Sequence, residues 1–530
     1  MVERLSDEYF DLLVIGGGIA GAGIAMDAAS RGLRVALVEM QDYAAGASSR
    51  STKPIQGGEP MDLQRLNPGR MREAGREWAI LHRNAGHLVQ PGRMMVPIVK
   101  GGRSGRLRLK WRLWLYDRLA GVPPSARSVM LGREKAVERE PWIHPGLLQG
   151  AGICSTYQVD GARLVMEVAK TAAEQGALLL NYAKVVAFSY DGGRIDGAIV
   201  HDEIGGQSFQ IRARQAVNAA GPWVDELRKM NLSLHGSRMY AAKGVHLVLH
   251  AQHLPVRHSI SFDAGDGRMI FAVPRANWIH VGTTGTRHEG SLEHPQVTAE
   301  EADYLIAALN RMFPRAALER SHIESSWAGL RPLAHPDGKA ASLFRKGDEL
   351  LLAKSGLVTV VCDNLTGFRK LAERVVDLIV GRMRTSGLPS ITPQCETARI
   401  PLTGSRYPSV SDKDGQVSRL ALKYGVAEEE LEWLQGLFGS EAEAVLILAE
   451  GRDKLSVLRG ALLYCIQNEG VMRMGDFFIR RTAMLYFGRK WINPSLETAR
   501  AVFAEVFGDG YDPDPGGEFA DAYRQAATFE

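Results

Sequence analysis

Apolar positions along the chain fall into short blocks whose period switches between strand and helix. Asp11-Leu-Leu-Val-Ile15 is a continuous apolar run of strand length, broken by Gly16-Gly-Gly-Ile-Ala-Gly21. Ala22 to Arg31 then reads as a helix stopped by Gly32, and Leu33-Arg-Val-Ala-Leu-Val-Glu39 reads as a second strand. Gln215-Ala-Val-Asn-Ala-Ala-Gly-Pro-Trp223 predicts a strand that ends in a glycine turn. Leu350 to Val361 predicts another, followed by a helix that starts near Asn364-Leu-Thr-Gly367. Between these lie short alternating runs, among them Gly244 to Leu249, Arg268 to Val273 and Trp278 to Gly282, the texture of an antiparallel sheet. From about Pro393 the period becomes helical and rich in Ala, Leu and Glu, as far as a Gly/Asp/Pro-rich stretch at 508–517.

The expected fold class is therefore α/β: a Rossmann-type domain that binds a dinucleotide, a β-rich substrate domain and a C-terminal all-α domain. The expected boundaries are a first region at 8–390 and a helical domain at 391–530. Within the first, segments of about 8–70, 150–235 and 325–390 are expected to hold the cofactor, and about 70–150 and 235–325 the substrate. The length of 530 residues suits two or three domains.

The strand, glycine turn and helix together give each glycine a task. Gly16 makes the tight turn, Gly18 lets backbone approach a pyrophosphate, and Gly21 lets helix meet strand. The helix N-terminus presents N–H groups and partial positive charge to that anion. Glu39 ends the second strand where it would accept bonds from ribose hydroxyls, and a carboxylate there favours FAD or NAD over NADP. The small, hydroxyl-rich segment 44–58 is either a loop lying against a ring system or a polar linker. The helix start at Asn364 would aim a second N-terminus at an anion or at the electron-rich end of a flavin.

Composition narrows the class further. Lys and Arg number 64 against 60 Asp and Glu, a formal charge of +4, so nucleic acid is not implied. No run approaches the roughly 20 apolar residues of a membrane-spanning helix, and MVERLSDEYF lacks the apolar core of a secretory signal. Cys154, Cys362, Cys395 and Cys465 form no CxxC pair, so a reducing cytoplasm is expected and no metal site. Residues 100–118 combine Lys100, Arg103, Arg106, Arg108, Lys110 and Arg112 with Trp111, Trp114 and Tyr116. That composition suits an anionic membrane surface. The alternative is a solvated basic helix that packs its tryptophans inward, and it is favoured because from Arg106 onward Arg and Leu alternate more as in a strand than on a clean helical face.

An ordered set of motifs then points to a family. Asp11 to Gly23, Ser48-Ser-Arg-Ser-Thr-Lys53, Val159-Asp-Gly-Ala-Arg163, Asn218 to Trp223, Lys243-Gly-Val-His246, Val281-Gly-Thr-Thr284, Gly329-Leu-Arg-Pro-Leu333, Leu365 to Lys370 and Asp476-Phe-Phe-Ile-Arg-Arg-Thr482 run nearly the length of the chain. Together they resemble the FAD-dependent glycerol-3-phosphate dehydrogenases and oxidases. The resemblance implies hydride transfer from C2 of glycerol 3-phosphate to FAD, giving dihydroxyacetone phosphate. It implies FAD contacts at Gly16, Gly18, Gly21, Glu39, Ser48, Ser49, Ser51, Gly221, Asn364 and Thr366. It also implies Arg331 beside the reacting carbon, Arg268 near the phosphate, and His246 in proton handling or as a plain hydrogen-bonded sheet histidine. A quinone or oxygen is the implied electron acceptor; a homodimer and contact with the inner face of the cell membrane are further implications. Arg480 and Arg481 would dock a partner or, as such arginines usually do, pair with carboxylates inside the helical domain.

The departures from the family pattern concern charge. The family's Lys-Leu-Ile-His-Gly-Gly-Leu-Arg-Tyr-Leu stands here as Lys53-Pro-Ile-Gln-Gly-Gly-Glu-Pro-Met-Asp62, so Gln56, Pro60 and Met61 replace His, Arg and Tyr. Asn364 stands where a lysine is expected, beside Asp363. Each charge-assisted bond to a buried phosphate contributes about 1.5–3 kcal/mol, so these losses weigh on the substrate. Either Arg50, Arg275 or Arg287 replaces the missing cations, or the same flavin chemistry serves a different hydroxy or amino substrate, which Glu59 and Asp363 would suit. A non-catalytic flavoprotein is the remaining alternative.

Overall fold

The computed structural model describes all residues except 52–53, 56–67, 103–104, 236–237, 336–347, 363, 386–393, 408–409 and 530. Lys53, Gln56, Glu59, Pro60, Met61, Arg103 and Asp363 therefore lie outside the described residues.

The apolar runs of the sequence become a parallel sheet buried on both faces. Tyr9–Ile15 pairs with Val35–Val38 on one side, in a register that sets Leu12 against Val35 and Ile15 against Val38. On the other side it pairs with Ser208–Asn218, which in turn pairs with Val358–Val361. Leu178–Leu180 closes one edge and Glu349–Leu352, antiparallel, the other. Side chains without polar atoms at Leu12, Leu13, Val14, Val35 and Leu37 are fully excluded from water, as expected for strands covered above and below. Helices Ile19–Ser30, Gly161–Glu174 and Phe368–Thr385 share one core with these strands. The sheet is thus assembled from segments hundreds of residues apart.

The second sheet is mostly antiparallel. Its order runs Thr286–His288, Arg238–His250, Trp278–Gly282, Met269–Arg275, Ser259–Asp263, Gln90–Val99, Leu148–Gln158, Pro54–Ile55, with Ile323–His335 along the remaining edge of Arg238–His250. Two strands shift the expected segment boundaries. Leu148–Gln158 and Ile323–His335, at the start of segments expected to belong to the cofactor layer, belong to this sheet instead. A short apolar strand carries no mark of which sheet it will join, because that choice is made by pairing partners far away in sequence.

The basic segment is a helix, Arg106–Leu119, as expected. It buries Leu109, Leu113 and Tyr116 and turns Trp111 and Trp114 outward, so the inward packing expected of the tryptophans is not found. The strand-like alternation of Arg and Leu covers too few residues to outweigh the i, i+4, i+7 spacing of Leu109, Leu113 and Tyr116.

The C-terminal region is all helical, with a π-type turn at Asp476–Arg481 and a core that also takes in Val248 and Trp327 of the second sheet. Buried charges lock it to the first layer. Arg163, on helix Gly161–Glu174, donates to Glu469 Oε2 at 2.7 Å and Oε1 at 2.9 Å, to Glu167 at 3.1 Å, and to the Leu437 carbonyl at 3.0 Å. Lys170 pairs with Glu441 and donates to the Tyr464 hydroxyl at 2.8 Å. Arg481 holds both oxygens of Asp42, at 2.7 and 2.8 Å, Arg480 reaches Asp42 as well, and Tyr182 donates to Asp476 at 2.6 Å. Arg480 and Arg481 thus pair across the layers and not only inside the helical domain. Burial acts to raise the Asp42 carboxyl, but Arg481 and Arg480 outweigh it and hold it below the usual range. Burial likewise opposes Glu469, and Arg163 and Lys170 bring it from 4.5 down to about 2.

A depressed carboxylate contributes stability above its unfolded pKa and loses it as pH falls through the folded one. Glu469→Gln leaves Arg163 buried with less counter-charge, so at pH 7 the variant is expected to be less stable by about 3–5 kcal/mol. The gap to the parent narrows as pH falls from 4.5 toward 2. Melting curves of both proteins across that window check it; a gap independent of pH would refute it.

Candidate active site

A cavity of about 1000 Å³ opens at the C-terminal ends of the parallel strands, where ligands of such sheets are held. Its wall takes residues from the turn after the first strand (Gly16, Gly18, Ile19), the end of the second (Val38 to Gln41), the loop Ala45–Ser51, the turn Ala219–Trp223 and the helix start Asn364–Gly367. The second sheet supplies the far side through Tyr240 to Gly244, His246, Thr283 to Arg287 and Gly329 to Leu333.

The turn fits a dinucleotide because no side chain fits in it. Gly16 has φ of +116°, and a Cβ there would lie 2.6 Å from the Ala219 carbonyl oxygen. A Cβ on Gly21 would lie 1.8 Å from the Gly16 carbonyl oxygen, so the helix could not sit against the turn. Glu39 is half-buried and accepts from Gly17 N at 2.6 Å and Gln41 N at 2.9 Å. Burial pushes its pKa up, and hydroxyl donors from a ribose would stabilise the charged form. Ser48 Oγ accepts from Ile19 N at 3.1 Å, tying the serine loop to the helix N-terminus. Asn364 Oδ1 accepts from Thr366 N and Gly367 N, both at 2.9 Å, and from Thr366 Oγ1 at 2.7 Å, so it caps the second helix start. That role needs an acceptor oxygen, which a lysine lacks.

Of the residues singled out in sequence, Gly16, Gly18, Glu39, Ser48, Ser51, Gly221, Asn364, Thr366, His246 and Arg331 meet on the cavity wall. Gly21 packs behind it. Ser49 turns away, nearly buried, toward the Gly46 carbonyl. Arg268 is not brought to the cavity: it sits in the turn between Ser259–Asp263 and Met269–Arg275, exposed, paired with Asp266 and lying over Tyr304. From that hairpin it is Phe271 that reaches the wall. Arg275 is likewise outside, facing Asp160 at 3.7 Å and the Phe487 ring.

Cations reach the cavity by other routes. Arg50 lies in its wall, with its backbone against Gly329; a Cβ on Gly329 would be 2.4 Å from the Arg50 carbonyl oxygen. Its guanidinium donates to the Glu293 carbonyl at 3.0 Å and has no carboxylate partner among the described residues. Burial pushes its pKa below the ordinary arginine value. Arg331 follows Gly329 by two residues on the same strand and so points to the same side. Lys243 and Arg287 also line the cavity, paired with Glu301 at 2.7 Å and Glu289 at 3.1 Å. His246 is buried, with Nδ1 3.0 Å from Nε2 of His280, and both rings stack on Trp327. His280 escaped the sequence reading because only the strand register, Val248 opposite His280, brings it close to His246.

The family model described as FAD dependent oxidoreductase matches residues 11–369. The chain belongs to that family. A second model, the C-terminal domain of alpha-glycerophosphate oxidase, matches 395–511, the helical region. The aerobic glycerol-3-phosphate dehydrogenase of Bacillus subtilis is 38% identical over 517 residues, covering 96% of this chain and 93% of its own. That of Staphylococcus aureus is 39% identical over 534 residues, covering 99% and 95%. The crystal structure of the glycerol-3-phosphate dehydrogenase from Bacillus halodurans complexed with FAD superposes with a TM-score of 0.84, at 35% identity, covering 99% of this chain and 97% of that one. As in the rest of the family, the cofactor is FAD; Gly16, Gly18, Glu39, Ser48 and the Asn364-capped helix start, which line the cavity, could hold it.

Gly21→Ala is expected to purify largely without flavin, its absorbance near 450 nm relative to protein falling about tenfold, while Ser49→Ala keeps a full complement. Equal flavin content in the two would contradict the packing role of Gly21.

Proposed function

We propose that the protein oxidises sn-glycerol 3-phosphate to dihydroxyacetone phosphate. The observation that carries the reading is Arg50, a cation in the cavity wall with no carboxylate partner among the described residues, whose backbone lies against Gly329 of the Arg331 motif. A desolvated guanidinium favours an anion, and a phosphate monoester offers bidentate acceptors. The curated relatives named above carry glycerol-3-phosphate dehydrogenase in their names and support the same substrate.

FAD, when bound, supplies the hydride acceptor. The chain does the rest. Arg50 holds the phosphate, and the Arg331 guanidinium orients the C2 hydroxyl and stabilises negative charge developing on its oxygen. The bond from Nδ1 to His280 commits one nitrogen of His246 to the fold, and in this reading Nε2 takes the hydroxyl proton as the hydride leaves. The lost family cations are offset by residues that approach from the serine loop and the second sheet, while Asn364 has exchanged a charge for a cap.

Anaerobic mixing with glycerol 3-phosphate should bleach the flavin band. Arg50→Met should raise the concentration needed for half-maximal rate by about 10- to 150-fold, the worth of one charge-assisted bond, with a smaller effect on the limiting rate. Arg331→Ala should instead slow the bleaching step itself. Bleaching by an amine or an unphosphorylated polyol, with none by glycerol 3-phosphate, would overturn the assignment.

A further inference from the structure

Two imidazoles pair across the cavity wall. His246 lines the cavity and His280 does not, and each is 2% exposed. The register of strands Arg238–His250 and Trp278–Gly282 sets His280 opposite Val248, two residues along from His246, so both rings stand on one face of the sheet. Nδ1 of His246 lies 3.0 Å from Nε2 of His280, a distance at which one ring N–H donates to the other ring nitrogen. Gly282, opposite His246, leaves the room for this, since a Cβ there would lie 2.3 Å from His246 Nδ1. The second nitrogen of His246 is on the cavity side: a Cβ on Gly244 would be 3.9 Å from Nε2 and 2.6 Å from Thr283 Oγ1, and Gly244 and Thr283 both line the cavity.

The surroundings of the pair suit a positive charge. The ring centres of His246 and His280 lie 5.1 and 4.8 Å from that of Trp327, at interplanar angles of 21° and 29°, so both rings stack on its face. An indole face attracts a cation through its quadrupole, and the attraction is stronger where water is excluded. Trp327 is itself held. Its N–H donates to the Arg50 carbonyl at 3.3 Å, and Tyr486 of the helical region lies against it at 4.5 Å between ring centres. The Tyr486 carbonyl in turn accepts from Ser325 Oγ at 2.8 Å, two residues before Trp327.

We propose that His280 is a positioning residue and proton relay for His246, which rests on the reading above in which His246 Nε2 takes the hydroxyl proton. In the resting pair His246 carries its proton on Nδ1 and donates it to His280 Nε2. As the hydride leaves C2, the hydroxyl proton arrives at His246 Nε2 and the Nδ1 proton crosses to His280 Nε2. The C2–O bond becomes a carbonyl, His246 is neutral in its other tautomer, and the positive charge rests on His280. The register places His280 beyond His246 as seen from Arg331, which is opposite Ala242, so the shift carries the charge away from that guanidinium.

The test is anaerobic bleaching of the flavin-loaded protein by glycerol 3-phosphate in mixtures of water and heavy water. Plotted against deuterium fraction, the parent's limiting rate should bow downward, the mark of more than one proton in flight. His280→Gln keeps an acceptor for His246 but cannot take up a proton. It should slow bleaching about tenfold, leave the half-saturating concentration within about twofold, and straighten the plot. His280→Phe keeps a stacked ring without an acceptor and should slow bleaching about 100-fold or more. With histidine labelled by nitrogen-15 and no substrate present, the parent should show a hydrogen-bonded ring N–H signal that is lost in both His280→Phe and His246→Asn. A straight plot for the parent, a bowed one for His280→Gln, or survival of that signal in either variant would overturn the relay. His246→Asn separates the relay from the reading beneath it. Bleaching as fast as the parent's would refute the role of His246 and the relay together, whereas slow bleaching by His246→Asn beside unchanged rates in both His280 variants would refute the relay alone.

Discussion

Asp42 is the pivot of the molecule. It stands three residues beyond Glu39, in the loop that lines the cavity, and two arginines from the far end of the chain close on its carboxylate in a space without water. Burying one anion between two cations is favourable only when the surrounding donors and acceptors are also placed, and the neighbours supply most of them, with Arg481 Nε facing Glu469 Oε2 at 3.3 Å without a hydrogen bond. Arg481 donates onward to the Glu469 carbonyl at 2.7 Å, Arg163 takes the Glu469 carboxylate, and Gly404 N donates to Glu167 at 2.6 Å. The helical region is thereby a structural part of the flavin site, since the loop that carries Glu39 toward the cofactor is clamped from behind by it.

Much of this architecture is written in local pattern. Continuous apolar runs such as Leu12 to Ile15 can only be covered strands, and the glycines between strand and helix can only be a turn that must admit something close to backbone. What local pattern does not carry is which sheet a strand joins and where a charged side chain ends up. Leu148–Gln158 and Ile323–His335 were assigned to the wrong layer because their partners lie elsewhere in the chain. Motif position does not say where Arg268, Arg480 and Arg481 end: the register of a hairpin leaves Arg268 outside the cavity, and the packing of a distant domain brings Arg480 and Arg481 to Asp42. The tryptophans at 111 and 114 illustrate the same limit: periodicity marks a helix, but which face is covered depends on what packs against it.

The site illustrates how a cavity can keep its charge while individual positions change. Asn364 holds a helix start with a neutral oxygen, and positive charge enters from Arg50 on the serine loop, Arg331 on a strand and Lys243 on the strand beside it. Because these groups come from both layers, their relative placement depends on the Gly329 contact with the Arg50 backbone, a spacing that leaves no room for a side chain. The aromatic stack of His246, His280, Trp327 and Tyr486 crosses the same boundary, with Tyr486 contributed by the helical region.

The closing of the Asp42 clamp also has a direction in time. Asp42 and Arg481 are 439 residues apart, so at roughly 5–20 residues per second a ribosome delivers the partner about 20 to 90 s after the acid. Through that interval the loop beside Glu39 carries an anion without its two arginines, and the ring stack behind His246 still lacks Tyr486. Until the last helices leave the exit tunnel, the nascent chain can pair strands of its first sheet but cannot clamp the loop that follows Glu39.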